Sequence, residues 1–195
     1  MKCLRLAPLA FVLPAALAFL PARALAFGFG IEGGGTYTKT SGLGTPNDIW
    51  TPNGGIIIEN NFPIAVVFLD LWADIQTPIQ LQTGFQLQTG GASAPKYIPI
   101  DLGLRFGLNI GLLQPYIGVL GQAAILTDGQ GVPNLNNPVW GLGGDLGLDI
   151  AVFILRFGIE LRAVETVSSI VSDPVAGDQG SAFEFEALAS VRLSF

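Results

Sequence analysis

Apolar and polar side chains alternate one by one along the closing segment of the chain. Phe183, Phe185, Ala187, Ala189, Val191, Leu193 and Phe195 fall on one face, and Glu184, Glu186, Leu188, Ser190, Arg192 and Ser194 on the other. A period of two is that of an extended strand with two different environments. The segment before it repeats the pattern, setting Phe153, Leu155, Phe157, Ile159, Leu161 and Ala163 against Arg156, Gly158, Glu160 and Arg162. Residues 140–150 and 98–108 do the same, with bulky apolar rows opposite glycine, aspartate and arginine.

Eight strands are predicted in all: Phe27–Lys39, Gly54–Asn60, Ile64–Ile75, Tyr97–Asn109, Pro115–Thr127, Val139–Ile150, Phe153–Glu165 and Ala182–Phe195. In the second and third, Glu59 and Asp70 choose the polar face. Short turns are expected at Asn60-Asn61-Phe62-Pro63, Asn109–Gln114 and Ile150–Val152. Longer stretches rich in Gly, Pro, Thr, Asn and Asp separate the rest: Thr40–Asn53, Gln76–Lys96, Asp128–Pro138 and Thr166–Ser181. Within the second of these, Gln80-Leu-Gln-Thr-Gly84 recurs as Gln86-Leu-Gln-Thr-Gly90, read either as a local duplication or as a hairpin extending the barrel. Three short turns alternating with four long loops suit eight up-and-down strands whose two ends lie on one side.

Composition decides which face is inside. Half the chain is hydrophobic and only 12% is charged, about half the share of a soluble domain. After residue 26 no apolar run approaches the roughly 18 residues a transmembrane helix needs. A membrane barrel resolves this tension, because only one face of each strand must be apolar. The polar rows mix glycine with carboxylates and arginines, which suits the crowded interior of an eight-stranded barrel. The only lysines after residue 26 are Lys39 and Lys96, both at expected loop edges. A soluble lipocalin-like binding barrel would turn the apolar rows inward and carry more surface charge; it is the remote alternative. The predicted fold is therefore all-β: an antiparallel, up-and-down, eight-stranded transmembrane β-barrel.

The first 26 residues read as a separate unit. Lys2 and Arg5 precede an apolar run from Leu6 to Leu20, and Ala24-Leu25-Ala26 gives the small-x-small pattern of a cleavage site. These are the parts of a secretory signal peptide, with cleavage expected before Phe27. The expected domains are thus 1–26, the signal peptide, and 27–195, the barrel. Losing Lys2, Arg5 and Arg23 takes nine basic residues to six, against fifteen acidic ones, for a formal charge of −9. No basic footprint for nucleic acid remains. Cys3, the one cysteine, leaves with the leader, so no disulfide or thiol chemistry is expected.

The ending Ala187-Leu-Ala-Ser-Val-Arg-Leu-Ser-Phe195 resembles the closing strand of Gram-negative outer-membrane barrels, which end in an aromatic residue with apolar residues at alternate positions before it. Gln114-Pro-Tyr-Ile-Gly118 and Trp140-Gly-Leu-Gly-Gly-Asp-Leu-Gly-Leu148 resemble strands of small OmpA/OmpX-type barrels. The likeness runs over the mature chain as a pattern. It implies recognition of Phe195, Leu193 and Val191 by the barrel-assembly machinery, and export through the periplasm to the Gram-negative outer membrane. The expected partners are outer-membrane lipid and lipopolysaccharide, with the barrel a monomer. No peptidoglycan-binding domain follows, so cell-wall anchoring is not expected.

Inward positions are expected to carry Glu32, Glu59, Asp70, Asp101, Asp145, Glu160, Glu184 and Glu186 together with Arg105, Arg156, Arg162 and Arg192. Buried charges are tolerable only when paired and hydrogen-bonded. The preferred reading is an ion network, with Arg156, Arg162 and Arg192 near Glu160, Glu184 and Glu186, that plugs the lumen of a structural or surface-interacting protein. The alternative is a narrow path for small solutes that favours cations, because acids outnumber bases. Enzyme activity is not expected. The chain has no histidine, which removes the usual general base and metal ligand. The carboxylate pairs Glu184/Glu186 and Asp145/Asp149 are explained more simply by the network. No catalytic, cofactor or metal site is assigned. Asp128-Gly-Gln-Gly131 lacks the spaced carboxylates of a calcium loop.

Overall fold

Residues 26–41, 48–64, 66–78, 96–128, 136–173 and 177–195 are described by the computed structural model. The repeat at 80–90 and the 129–131 part of the calcium-like segment lie outside them, as do residues 1–25. The strands are β1 (Ala26–Ser41), β2 (Asp48–Ile64), β3 (Val67–Pro78), β4 (Lys96–Leu108), β5 (Leu113–Asp128), β6 (Val139–Val152), β7 (Leu155–Thr166), β8 (Val171–Asp173), β9 (Gly177–Gln179) and β10 (Ser181–Ser194). β1 to β7 follow one another around a closed sheet, and β10 joins β7 to β1. Every neighbouring pair is antiparallel. Closure removes every edge, so the barrel backbone is hydrogen-bonded within the wall.

Parity sorts the side chains as the sequence pattern requires, and the sorting is the reverse of a soluble protein's. Ile31 is 67% exposed while Arg162 is 0% exposed. Phe157, Leu161, Leu104, Ile117 and Leu142 point outward, as do their neighbours along each strand. Glu59, Asp70, Arg105, Asp145 and Arg192 are buried in the lumen. Strands of 12 to 17 residues rise about 3.3 Å per residue. Tilted by about 40°, they reach roughly 30–43 Å along the axis, more than the ~25 Å apolar band of such barrels.

The connections correct the expected boundaries. Asn60-Asn61-Phe62-Pro63 is not a turn. It continues β2, and pairing runs on to Ile64↔Val67. Strand β2 also begins at Asp48, well before the expected Gly54. The turn expected at Ile150–Val152 sits later, because Val152 still pairs with Leu155. Phe153 therefore does not open a strand. It lies in the turn at φ 55° and is 93% exposed. Within the loop expected at Thr166–Ser181, β8 and β9 pair with each other as their own two-stranded sheet. The short connections β2–β3, β4–β5 and β6–β7 share one end with Ala26 and Ser194; the long ones share the other. Phe27, Phe153 and Phe195 lie at the short-turn end, where Phe29 and Phe195 stack with centroids 6.0 Å apart. Trp50 and Trp140 are exposed toward the long-loop end.

Candidate functional site

The lumen charges form two layers. The one nearer the short turns is built where Arg192 of β10 faces Arg156 of β7 across the sheet. Two adjacent guanidiniums need acids from elsewhere, and Glu59 of β2 and Asp149 of β6 supply them. Arg192 Nη1 donates to Glu59 Oε2 at 2.7 Å, and its Nη2 donates to Asp149 Oδ1. Arg156 Nη1 lies 2.9 Å from Glu59 Oε1 and 3.8 Å from Asp149 Oδ2. Gly28 and Gly158 leave the room these groups fill. A Cβ at Gly28 would lie 2.7 Å from the Glu59 side chain, and one at Gly158 2.5 Å from both Arg192 Nη2 and Asp149 Oδ1.

The second layer centres on Arg162. Five carboxylates from five strands lie within 4 Å of its guanidinium. Nε donates to Glu160 Oε1 at 2.5 Å, Nη2 to Glu32 Oε2 at 3.2 Å, and Nη1 to Asp74 and, at 3.2 Å, to Asp101. Glu186 Oε2 is 3.8 Å from Nη1. Glu160 is shared with Arg105, whose Nη2 donates to it at 2.6 Å while Nε donates to Asp145 at 2.5 Å. The Tyr116 hydroxyl also donates to Glu160, at 2.8 Å. Both guanidiniums lie over the Trp72 ring, Arg105 at 4.0 Å and Arg162 at 4.4 Å from its centroid. A planar, delocalised cation can donate in several directions and still stack on an aromatic face. Outward of Arg162 the network continues through amides. Asn53 Nδ2 donates to Gln76 Oε1 at 2.5 Å, and Gln76 Nε2 donates to Glu186 Oε2 at 3.3 Å. An apolar cluster of Ile57, Trp72, Leu120 and Val164 packs beside this second layer.

All twelve expected inward charges face the lumen, but they are not joined as expected. Arg162 meets Glu160 and Glu186. Arg156 and Arg192 instead meet Glu59 and Asp149. Glu184 pairs with no arginine among the described residues; it accepts from Gln122 at 3.4 Å. Asp70 sits opposite Arg105 in the register, yet Arg105 turns to Asp145 and Glu160, so Asp70 has no ion pair among the described residues. Asp74, Trp72 and Tyr116 were missed as lumen residues, whereas Asp149 was set on the polar row beside Asp145 without a named arginine. The missed signal was parity: Asp74 and Trp72 share a face with Asp70.

Charged groups buried inside and apolar groups bare outside admit one kind of surrounding medium. The chain is built as a membrane-spanning β-barrel. No family model and no curated protein matches it. Among solved structures, the barrel is similar to Neisserial surface protein A, at 14% identity over 87% of this chain and 99% of that one, with TM-score 0.49. It is also similar to Ail, the attachment invasion locus protein of Yersinia pestis, at 10% identity over 85% of this chain and 98% of that one, with TM-score 0.44. A second Ail structure, in complex with the heparin analogue sucrose octasulfate, aligns over 86% of this chain at 10% identity, with TM-score 0.41. Among the barrel's described residues, no group of three or more acids is placed to hold a metal ion.

Proposed function

We propose that this chain is an outer-membrane barrel with a plugged polar lumen, acting as a structural or surface-interacting protein rather than as a pore. The observation that carries this reading is the side-chain packing around Arg162, where one guanidinium is held by five carboxylates and covered by Trp72. A hydrated ion crossing the barrel would have to break several charge-assisted hydrogen bonds at once, each about twice as strong as a neutral one. Outward aromatics at both ends suit two membrane interfaces. Export uses a leader cleaved after Ala26 and periplasmic delivery to the barrel-assembly machinery through Phe195, Leu193 and Val191. The folded protein is a monomer among outer-membrane lipid and lipopolysaccharide. Its contacts with other molecules are made by the long loops, where function concentrates on such scaffolds.

Two measurements test this. Cell fractionation should recover the protein in the outer membrane, with its gel migration shifting on boiling; a soluble periplasmic protein would overturn the assignment. Planar-bilayer recording should give no steady conductance. One observation favours the second reading, a cation path: among the described residues ten carboxylates face the lumen against four arginines. Steady cation-selective steps would establish that reading in place of the plug.

A further inference from the structure

The β7–β10 connection does more than link two strands. Its Ile170 is buried against Ala124, Val139 and Ala182, with Tyr97 packed beside them. These four residues belong to β5, β6, β10 and β4, and all share the lumen-facing parity of their strands near the long-loop end. An isoleucine from a loop therefore caps the lumen-facing ends of β4, β5, β6 and β10, directly above Gln122 and Glu184. The loop is tied down outside the barrel ladders: Val167 N and Ser168 N donate to Trp140 O at 2.8 and 3.3 Å, and Ile170 N donates to Gly180 O at 3.1 Å. Asn136 N donates to Ile170 O at 2.9 Å, Asn136 Nδ2 to Ser169 O at 2.7 Å, and Trp140 N to the Ser168 hydroxyl at 2.8 Å. Its hairpin, β8–β9, is a separate sheet with no ladder to the barrel wall among the described residues. Segments tied by local bonds outside the sheet ladders can open at a fraction of the global unfolding free energy.

We propose that this connection is a removable apolar seal, and that displacing it opens an acidic well to the outside that takes water and small cations. The well lies between Ile170 and Arg162. Gln122 and Glu184 wall it, two residues further in than Ala124 and Ala182, and Asp101 and Glu186 floor it where they meet Arg162. Loop movement breaks no barrel hydrogen-bond ladder. This inference rests on the sealed-lumen reading above and adds to it the part of the seal that moves.

After removal of the leader the chain has no cysteine, so Gln122→Cys supplies a single reporter thiol in the folded barrel. Gln122 is buried, and with Ile170 intact its modification by methanethiosulfonate reagents should be slow. Adding Ile170→Ser should raise the rate by about tenfold or more, the factor expected if opening becomes easier by about 1.4 kcal/mol. A cationic reagent should gain more than an anionic one. Asn136→Ala, which removes the side-chain tie to Ser169, is an independent second route and should act in the same direction. Heat-modifiable migration identifies variants that still form the barrel. Fast labelling of Gln122→Cys with Ile170 present, or no acceleration in either folded loop variant, would overturn the seal. Conductance that appears only with Ile170→Ser would support the seal and defeat the plug beneath it.

Discussion

Removing the Arg162 guanidinium is the most severe single change available in the lumen. Of its five carboxylate neighbours, only Glu160 has a second arginine, Arg105. Glu32, Asp74, Asp101 and Glu186 have no other ion pair among the described residues. Arg162→Ala would leave four buried carboxylates facing one another with no cation. Breaking one buried pair by deleting one partner costs about 3–5 kcal/mol, and here several break together. Loss of the guanidinium over Trp72 adds up to about 2 kcal/mol for a desolvated cation–π contact. We expect at least about 3 kcal/mol of destabilisation, a large fraction of a typical folding free energy. The assay is urea titration of the refolded barrel in lipid vesicles, following the folded band on unboiled gels. Arg162→Lys should recover only part of the loss, because one ammonium cannot replace a planar fork that bridges five partners. An unfolding free energy for Arg162→Ala within about 0.5 kcal/mol of the native protein, the range of an ordinary surface substitution, would refute a dry, paired network.

Arg156→Ala should cost less than Arg162→Ala in the same titration, because Arg192 still contacts both Glu59 and Asp149; equal losses would contradict the layer assignment. Gly118→Ala should destabilise by about 1–3 kcal/mol, as overpacking does, since its Cβ would lie 2.1 Å from Asp145 Oδ1 and 2.6 Å from the Leu104 carbonyl. Gly121→Ala is the control: its nearest neighbour is Leu142 Cδ2 at 4.0 Å, and its stability should be unchanged. Phe195→Ala removes the ring stacked on Phe29 and should lower the amount of folded protein recovered in the outer membrane of expressing cells, measured as the heat-modifiable fraction.

How much of this was legible beforehand depends on what each feature rests on. Period-two alternation needs no partner strand, so Phe157, Leu161 and Leu193 were placed on one face and Arg162 and Glu160 on the other directly from spacing. Register is a property of two strands, and nothing local encodes it. That is why Arg192 facing Arg156 across the sheet was missed, and with it the recruitment of Glu59 and Asp149. Turn chemistry misled twice. Asn60, Asn61 and Pro63 read as a turn, yet they lie at a strand end beside a short connection at 65–66 that has no glycine, asparagine or proline. Phe153 occupies the left-handed region, which is uncommon for a bulky residue. The seal at Ile170 lay in a stretch expected to be loop, where one apolar residue carries no periodicity to read.

The most direct test of the central claim is spin-label accessibility along β7 in lipid vesicles, using single cysteines at 159, 160, 161 and 162. Labels replacing Ile159 and Leu161 should collide readily with dissolved oxygen, which concentrates among acyl chains. Labels replacing Glu160 and Arg162 should be shielded from oxygen and from a water-soluble nickel complex alike. If positions 160 and 162 instead collided with the nickel complex while 159 and 161 were protected, the barrel would be the other way out and the charged lumen would not exist.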